Sequence, residues 1–299
     1  MNDNDDKRSG TQTIERAAAL LREICLSGHS GGQLSDLAAR CGLRKSTAHR
    51  ILTCLTRERL VRQCPDNRHY LAGPMLFELG VSASPERSEF QHAMRNRLWT
   101  LSRQTSGVAF LFYRSGDDFV CAVRAGTAKC KARDLPVFPG TRRPLVLGTG
   151  GMAILLAIPR EESLQIVERN IATLNGGFGA AYIEGVRDMI KHSYERGFAI
   201  NAGDIMPGLN AFSLALRNQA GEPFAAISLA GSAREFPLER LDEFRELLYA
   251  AAKDLPGATP YPARMESIEP KLAPRQVEVD RDARQREFLS VVPGGAERA

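Results

Sequence analysis

The sequence predicts an α+β chain with two domains, a small helical one at the N-terminus and a larger one built around a mostly antiparallel sheet. Three observations support this fold class. The 299 residues are enough for two domains, at roughly 100–200 residues each. Helical periods followed by a hairpin occupy residues 12–73. Beyond residue 86, short apolar strands joined by tight turns alternate irregularly with amphipathic helices, which is typical of α+β domains.

The composition excludes several classes of protein, and the positions of the charged residues show where the excess positive charge lies. Hydrophobic residues make up 43% of the chain and charged residues 25%, as in ordinary globular proteins and unlike disordered or collagen-like chains. The net charge is only +5. Eight basic and two acidic residues lie between Arg40 and Tyr70, so that segment carries +6 and the rest is about neutral. A compact basic segment indicates a polyanionic partner.

The cysteines and the apolar segments indicate the cellular compartment in which the protein is expected to function. The six cysteines form no Cys-x-x-Cys pair and no cluster with zinc-ligand spacing, so we expect reduced, mostly buried thiols, no metal and no cofactor. The polar, acidic start of the chain is unlike a signal peptide. The longest apolar stretch, Pro144 to Pro159, contains three glycines and is too short to span a bilayer. We therefore expect a cytoplasmic protein with no membrane partner.

The segment from Leu34 to Leu52, LSDLAARCGLRKSTAHRIL, reads as a helix, a glycine-containing turn and a second helix. Gly42 is expected to end the first of these in a left-handed conformation, and the second begins with Arg–Lys–Ser–Thr. This is the pattern of a helix-turn-helix. An earlier helix is capped by Thr13, and two apolar runs around Pro65–Asp66–Asn67 predict a hairpin, or wing, after the motif.

The exposed side of the second helix carries the side chains that we expect to meet DNA. In the major groove, Arg and His can meet guanine or phosphate, while Ser and Thr reach the backbone or bases. The helix N-terminus favours phosphate, and an arginine on the wing is expected to meet phosphate or the minor groove. The alternative is a solvated helical hairpin with scattered arginines. The candidate DNA-binding residues are Arg44, Lys45, Ser46, Thr47, His49, Arg50 and Arg68.

From Thr13 to Gly80 the chain resembles the N-terminal domain of the IclR (isocitrate lyase regulator) family of bacterial transcription factors. The matching words are TIERAAALLREI, LSDLAARCGLRKSTAHRILTCL and RHYLAGPMLFELG. The family pattern is met at Arg16–Ala17, Lys45, Ser46, Thr47, Arg50 and Tyr70, whereas Ala72 before Gly73 is a small departure. The resemblance implies a winged helix-turn-helix that reads double-stranded operator DNA.

The rest of the chain to about residue 254 is similar to the effector domain of the same family, a GAF-like sensor that binds small organic acids. The matching words are FPGTRRPLVLGTGGMAILLAIP, ERGFAIN and GEPFAAISLAG. By this resemblance the pocket residues are Thr149, Gly150, Asn201, Leu209, Ala211, Ser228 and Ala230, with Leu135 and Ala132 as an apolar wall.

Three of these positions depart from the family pattern. Asn201 replaces an acidic residue, Ala211 a common cysteine and Ala230 a second serine. The pocket is therefore expected to suit a bulkier or more apolar acid, such as an aromatic one, better than a two- or three-carbon acid.

The glycines from Gly148 to Gly151 open a helix in this region. Backbone N–H groups at a helix start, together with the helix dipole, favour a carboxylate. We expect Ser228 and Asn201 to hydrogen-bond the same ligand. The alternative is a glycine-rich turn that only allows the helix and the sheet to pack closely.

The expected domain boundaries follow from these segments. Residues 1–11 are expected to be a disordered lead-in, 12–73 the winged helix-turn-helix domain, 74–85 a helical linker and 86–254 the effector-binding domain. Residues 255–299 contain six prolines with seven basic and seven acidic residues, so we expect a mostly disordered tail, with a short helix around 281–289.

The expected function is that of a DNA-binding transcriptional regulator whose DNA binding is modulated by a small carboxylate. No catalytic serine, phosphate-loop or metal-ligand motif is present in the sequence, so we expect no enzyme activity. Two alternatives stay open, namely a sensor module without DNA function and an enzyme built on the C-terminal domain. In this family homodimers and homotetramers are usual, and Ile14, Leu21 and Met75–Leu79 offer an apolar contact surface.

Overall fold

The computed structural model describes residues 3–83, 85–126, 135–175 and 178–261. The chain divides into two compact units, Met1–Ser88 and Glu89–Ala299. Each unit has buried cores of its own. The two-part α+β architecture expected from the sequence is confirmed.

The N-terminal unit is a three-helix core followed by a hairpin. Leu20 and Ile24 of the first helix pack against Leu37 of the second and Leu52 of the third, and all four are fully buried. The hairpin is antiparallel, with Gln63 opposite Tyr70. The elements are α1 Asp3–Leu26, α2 Leu34–Arg40, α3 Lys45–Arg57, β1 Val61–Gln63, β2 Tyr70–Ala72 and α4 Pro74–Ala83.

The turn between α2 and α3 has the conformation that the sequence predicts. Gly42 adopts φ 62°, a left-handed value that glycine tolerates without strain. Its N–H donates to the carbonyl of Ala39 at 3.1 Å, and the N–H of Leu43 donates to that of Ala38 at 2.8 Å. These bonds fix the angle at which α3 leaves α2.

The first helix is longer than expected. It begins at Asp3 rather than at Thr13, so the expectation of a disordered lead-in over residues 1–11 is wrong for residues 3–11. No proline interrupts the run from Asp3 to Leu26. Its glycine at position 10 disfavours a helix by only about 1 kcal/mol.

The C-terminal unit is built on a seven-stranded sheet in which every paired strand is antiparallel. The strand order is β5-β4-β3-β8-β7-β6, and β9 pairs with the C-terminal end of β7. The strands are β3 Val108–Ser115, β4 Asp118–Ala125, β5 Arg142–Pro144, β6 Ala199–Ala202, β7 Leu209–Arg217, β8 Pro223–Ser232 and β9 Thr259–Pro260. The helices are α5 Pro85–Thr105, α6 Thr149–Ala157, α7 Arg160–Leu174, α8 Ala180–Arg196 and α9 Leu241–Ala252.

Helices cover both faces of this sheet. Along β3, Phe110 and Phe112 contribute to one core with α6, α7 and α8. Ala109 and Leu111 contribute to the other core with α5 and α9. This alternation is the period of two that a strand imposes. The first of these faces carries the cavity described below.

Sequence analysis missed three short strands and placed one domain boundary too early. β5, β6 and β9 are two to four residues long, too short for an alternating pattern to be recognised. Leu255 and Ala258 are buried, and β9 pairs with β7. The expected end of the domain at residue 254 is therefore wrong, because the packed chain continues to Tyr261. The rest of the expected tail, including the helix around 281–289, lies outside the described residues.

The five described cysteines are free thiols, but the expectation that most are buried is wrong. Cys121 is buried, Cys41 and Cys64 are half-buried, and Cys25 and Cys54 are exposed. The two exposed thiols lie on α1 and α3, on sides away from the core residues of those helices. Burial raises the pKa of Cys121 to about 12, so this thiol is neutral at physiological pH.

Candidate functional sites

The third helix separates a buried apolar side from an exposed polar side. Ala48, Ile51, Leu52 and Leu55 are buried against α1 and α2. Thr47 is half-buried at the edge of this side. The exposed side carries five of the residues predicted to meet DNA, namely Arg44, Lys45, Ser46, His49 and Arg50.

Ion pairs divide the basic segment into two sets. Arg40 pairs with Glu23 at 3.0 Å, Arg57 with Glu58 at 3.4 Å and Arg59 with Glu78 at 2.6 Å. These charges are partly neutralised within the protein.

The second set contains Arg44, Lys45, Arg50, Arg62 and Arg68. None of these five forms an ion pair with a side chain that the structure describes. Their charge is available to an external anion such as a phosphate group.

The tip of the wing is held in a defined conformation. Arg68 is exposed and has φ 58°. Gln63 donates to its carbonyl from Nε2 at 2.9 Å, and Asn67 Oδ1 accepts the N–H of His69 at 3.0 Å. His69 Nδ1 lies 2.8 Å from the carbonyl oxygen of Ser30, which connects the wing to the chain before α2. The Arg68 side chain therefore projects from an ordered turn.

The C-terminal unit contains a cavity between the sheet, the start of α6 and two loops. Its floor is formed by β3, β4, β7 and β8, and Gly148 to Gly150 lie at one end. The eight residues selected from the sequence all line this one cavity, namely Leu135, Thr149, Gly150, Asn201, Leu209, Ala211, Ser228 and Ala230. Ala132, the other expected wall residue, lies outside the described residues. That the eight residues bind an effector stays a prediction.

The cavity is small and mostly apolar. Its volume is about 80 Å³. Its walls include the rings of Phe110, Phe112 and Phe119, with Met206 on a loop beside β7. An engineered cavity of about 150 Å³ holds benzene, so a ring enters only when a wall side chain moves. Met206 has an unbranched side chain that adapts readily to such a change.

The loop after β6 is organised around Asn201. Its Oδ1 accepts the N–H groups of Asp204 at 2.8 Å and of Ile205 at 3.2 Å. An amide oxygen cannot donate, so a hydrogen bond from the Asn201 side chain to an anion would come from Nδ2. Asp204 is buried, and its carboxylate accepts the N–H of Ala202 at 2.9 Å and lies 3.2 Å from Nδ1 of His192. The hydrogen bond to Asp204 raises the pKa of His192 above its ordinary value.

Ser228 is engaged with a neighbouring strand. It lies opposite Ser213 in the β7–β8 ladder, both residues are buried, and the two hydroxyl groups form a short hydrogen bond. A hydroxyl can donate one hydrogen bond and accept others. Ser228 can therefore bond a ligand while it keeps its contact with Ser213.

The glycines at the start of α6 allow close packing. A Cβ atom at Gly151 would lie 2.0 Å from the carbonyl oxygen of Leu145, and one at Gly150 would lie 2.3 Å from the Phe112 ring. The Gly151 contact involves backbone and supports the structural alternative for this residue. Gly150, in contrast, faces a side chain of the cavity wall.

Sequence analysis missed Arg143, which lines the same cavity. It stands on β5, and its Nη2 donates to the carbonyl of Pro136 at 3.0 Å. Burial lowers the pKa of this guanidinium from its ordinary value. The Arg–Arg–Pro sequence at residues 142–144 was noted as part of a family-like segment, but strand β5 was not predicted there. The sequence therefore did not show which of the two arginines faces inward.

Two family comparisons account for most of the chain. Residues 13–65 match the IclR helix-turn-helix domain, and residues 84–256 match the family described as bacterial transcriptional regulator IclR C-terminal. This chain belongs to the IclR family. It is therefore a DNA-binding transcriptional regulator of bacterial type.

Curated relatives of this IclR-family protein are repressors. The transcriptional repressor AllR of Salmonella typhimurium is 29% identical over 257 residues, which cover 84% of this chain and 91% of the relative. The repressor IclR of Escherichia coli is 25% identical and covers 82% of this chain and 88% of its own length. These relatives are regulators rather than enzymes, which confirms the expectation of no enzyme activity.

Solved structures agree on the fold. The IclR regulator of Alicyclobacillus acidocaldarius superposes with a TM-score of 0.61 at 23% identity over 82% of this chain and 97% of that one. An IclR homologue from Microbacterium hydrocarbonoxydans, crystallised with 4-hydroxybenzoate, superposes with a TM-score of 0.62 at 16% identity. The match covers 81% of this chain and 98% of that one. In the described part of the IclR-family chain, no helix is long and apolar enough to cross a membrane. No group of three metal-ligating side chains occurs among these residues either.

Proposed function

We propose that this regulator binds operator DNA through α3 and the wing, and that a small carboxylate in the cavity of the C-terminal unit changes its affinity for that DNA. The observation that carries the effector proposal is the convergence of eight sequence-selected residues on one cavity. The DNA contacts are assigned to Arg44, Lys45, Ser46, Thr47, His49, Arg50 and Arg68, of which all but Thr47 are exposed.

The proposed ligand is an acid with an apolar body, such as an aromatic acid. Ala211 and Ala230 present methyl groups to the cavity, and three phenylalanine rings line it. The N–H groups at the start of α6 have no partners within the helix and favour a carboxylate. An IclR homologue was crystallised with 4-hydroxybenzoate, which supports an aromatic acid as a candidate.

A DNA-binding titration with and without acids tests this function. The full chain is titrated onto a duplex taken from its own genomic footprints, with acetate, pyruvate, benzoate and 4-hydroxybenzoate each present in turn. We expect at least one acid to change the dissociation constant by about threefold or more, within the usual range of allosteric coupling. The effector proposal is contradicted if no acid changes it.

A cavity-filling variant makes the test specific. Ala211→Leu places a larger side chain in the cavity, whereas Ala220→Leu changes an exposed alanine. We expect Ala211→Leu to bind DNA normally and to lose the response to acid. Ala220→Leu should keep both properties.

We further propose that the regulator works as a homodimer or as a tetramer of two dimers. α4 exposes 75% of Phe77 and 53% of Leu79, and α1 exposes 72% of Ile14. Exposed apolar patches mark interaction surfaces, and a dimer would read two half-sites. Light scattering of the full chain measures its molar mass in solution and so tests the oligomeric state. We expect Phe77→Ser to lower this mass. A wild-type chain that is monomeric would contradict the proposal.

A further inference from the structure

We propose that the C-terminal unit has a second ligand site, at the opposite end of its sheet, which takes a zwitterionic ligand such as a free α-amino acid with an apolar side chain. This inference goes beyond the proposed function, because it concerns a different cavity and does not depend on the acid effector. It is carried by a second, larger cavity and by two residues of opposite charge that line it.

The second cavity lies where β7 ends and β8 begins. Strand β7 contributes Leu209, its first residue, to the first cavity and Arg217, its last, to the second. Helix α6 likewise contributes Thr149 at its start to the first cavity and Ala157 at its end to the second. The two cavities are therefore separate, at opposite ends of the same strand and the same helix.

The second cavity has room for a metabolite. Its volume is about 590 Å³, within the range of about 300–1,000 Å³ that is typical of ligand pockets. Part of its wall is apolar, since Ile158 and Pro223 are buried and Phe224 is half-buried. This part of the wall can contact an alkyl or aromatic side chain.

Arg217 supplies a positive charge that no described anion neutralises. Its Nη2 donates to the carbonyl of Ala157 at 2.7 Å, and its guanidinium lies over the Tyr261 ring, 4.3 Å from the centroid. Both contacts are with uncharged groups, and Arg217 forms no ion pair with a described side chain. Its buried Nε has no hydrogen-bond partner in the described part of the chain, although buried polar groups usually have one. A ligand carboxylate would give this guanidinium a charged partner.

Glu222 supplies a negative charge close to Arg217. Strand register places Arg217 opposite Pro223, the residue after Glu222, so the two charged residues are near neighbours across the hairpin. Oε2 of Glu222 accepts from Nδ2 of Asn218 at 3.2 Å, and its N–H donates to Oδ1 of the same asparagine at 2.9 Å. These bonds order the turn. Within the described ranges no cation pairs with Glu222, so its carboxylate can bind a ligand ammonium group.

The other two charges of the described wall neutralise each other. Nη2 of Arg114 lies 2.6 Å from Oε1 of Glu162, and its Nε donates to the carbonyl of Gly116 at 3.2 Å. A ligand with a single charge would pair with only one of Arg217 and Glu222. A ligand that carries both charges can pair with both.

An α-amino acid carries the matching groups. Its carboxylate can accept charge-assisted hydrogen bonds from a guanidinium, and its ammonium group has three N–H donors for a carboxylate. The amide and the N-acetyl derivative of the same amino acid keep the side chain but each lose one of the two charges. Both derivatives should therefore bind more weakly than the amino acid itself.

The experiment measures the binding of L-leucine and L-phenylalanine to the full chain by calorimetry. Each amino acid is compared with its amide, which lacks the carboxylate, and with its N-acetyl derivative, which lacks the ammonium group. We expect at least one of the two amino acids to bind wild type at least about tenfold more tightly than both of its derivatives, because hydrogen bonds between charged groups are the strong ones.

Variants locate this binding. Arg217→Gln should weaken it about tenfold or more, and Glu222→Gln, on an exposed turn, about threefold or more. Arg234→Gln and Glu246→Gln remove the same charges from exposed residues outside the cavity, and affinity should stay within about twofold. Ala211→Leu, which places a larger side chain in the first cavity, should also leave amino-acid binding within about twofold.

Four results would overturn the inference: neither amino acid binds wild type, a derivative binds as tightly as its amino acid, Arg217→Gln or Glu222→Gln binds as wild type does, or Ala211→Leu abolishes binding. The comparison with the derivatives uses wild type alone, so it stands even if Arg217→Gln does not fold. The acid effector is tested separately by its effect on DNA affinity, so either proposal can fail while the other stands.

Discussion

At the scale of single residues, Gly151 shows why the first turn of α6 needs a glycine. A Cβ atom there would lie 2.0 Å from the backbone carbonyl oxygen of Leu145, and backbone cannot move aside as a side chain can. We expect Gly151→Ala to lower the free energy of unfolding by about 2 kcal/mol or more. Chemical denaturation of the full chain measures this.

Gly80 on α4 is the control for this prediction, since a Cβ atom there would meet nothing within 4 Å. Alanine favours a helix over glycine by about 0.5–1 kcal/mol, so Gly80→Ala should leave stability unchanged or raise it. A Gly151→Ala variant as stable as wild type would contradict the close approach of α6 to Leu145.

His192 gives the C-terminal unit a pH-dependent contact. Its pKa is raised mainly by the hydrogen bond to Asp204, with a further increase from Asp188 and a decrease from Arg196. A raised pKa means that the folded state favours the protonated ring. The stabilisation is therefore fully present below the unfolded pKa of about 6.5 and is lost as the pH rises through the folded value.

We expect His192→Gln to lower the melting temperature more at about pH 5.5 than at about pH 8.5. The His192 side chain is 35% exposed, so solvent screening should keep the difference below about 1 kcal/mol. Lys191→Gln, which changes an exposed neighbour, is the control. An equal loss at both pH values would show that protonated His192 does not stabilise the loop at Asp204.

At the scale of elements, the short strand β9 belongs to the packed C-terminal unit. Leu255 and Ala258 are buried, the N–H of Tyr261 donates to the carbonyl of Ala215 at 2.9 Å, and Arg217 lies over the Tyr261 ring. Burying one leucine side chain contributes about 1.5–3 kcal/mol. The segment from 255 to 261 is therefore part of the fold.

Two truncations test this boundary by their melting temperatures. Ending the chain after residue 261 should change the melting temperature by less than about 2 °C, because the sequence beyond is rich in proline and has equal numbers of basic and acidic residues. Ending it after residue 254 should lower it by about 5 °C or more. Equal melting temperatures would contradict the packing of β9.

Elements marked by apolar periods or by turn residues could be predicted from the sequence, whereas short strands without such local marks could not. The core helices α2 and α3, the wing and the hairpin of β3 and β4 carry clear apolar periods and turn residues. β5 and β9 contain three and two residues and are defined only by pairing with distant strands. Arg143 was missed for the same reason, because its inward position depends on β5.

The cavity residues were predicted for a different reason. Resemblance to a known family selected Asn201, Ser228 and the glycines of α6, and the structure brings them together. Residue chemistry alone did not show that Asn201 Oδ1 organises its own loop or that Ser228 pairs with Ser213. Both contacts depend on strand register and loop geometry, which no local pattern specifies.

At the scale of the whole molecule, the two units divide recognition between them. The N-terminal unit presents cations without internal ion-pair partners among the described residues, and the C-terminal unit holds a mostly apolar cavity whose lining includes Arg143. We expect the first to bind a phosphate backbone, and the proposed ligand of the second is a single carboxylate. Changes to Lys45 or Thr47 should alter sequence preference, since they stand at the start of α3, where base contacts are made.

The central claim is that α3 binds the DNA backbone, and the salt dependence of binding tests it most directly. Removing one side chain that binds a phosphate lowers the slope of log affinity against log salt by about one. The titration compares wild type with Arg50→Ala and with Arg103→Ala, an exposed arginine of α5 in the C-terminal unit. We predict a slope lower by about one for Arg50→Ala and an unchanged slope for Arg103→Ala. An unchanged slope for Arg50→Ala would contradict the account.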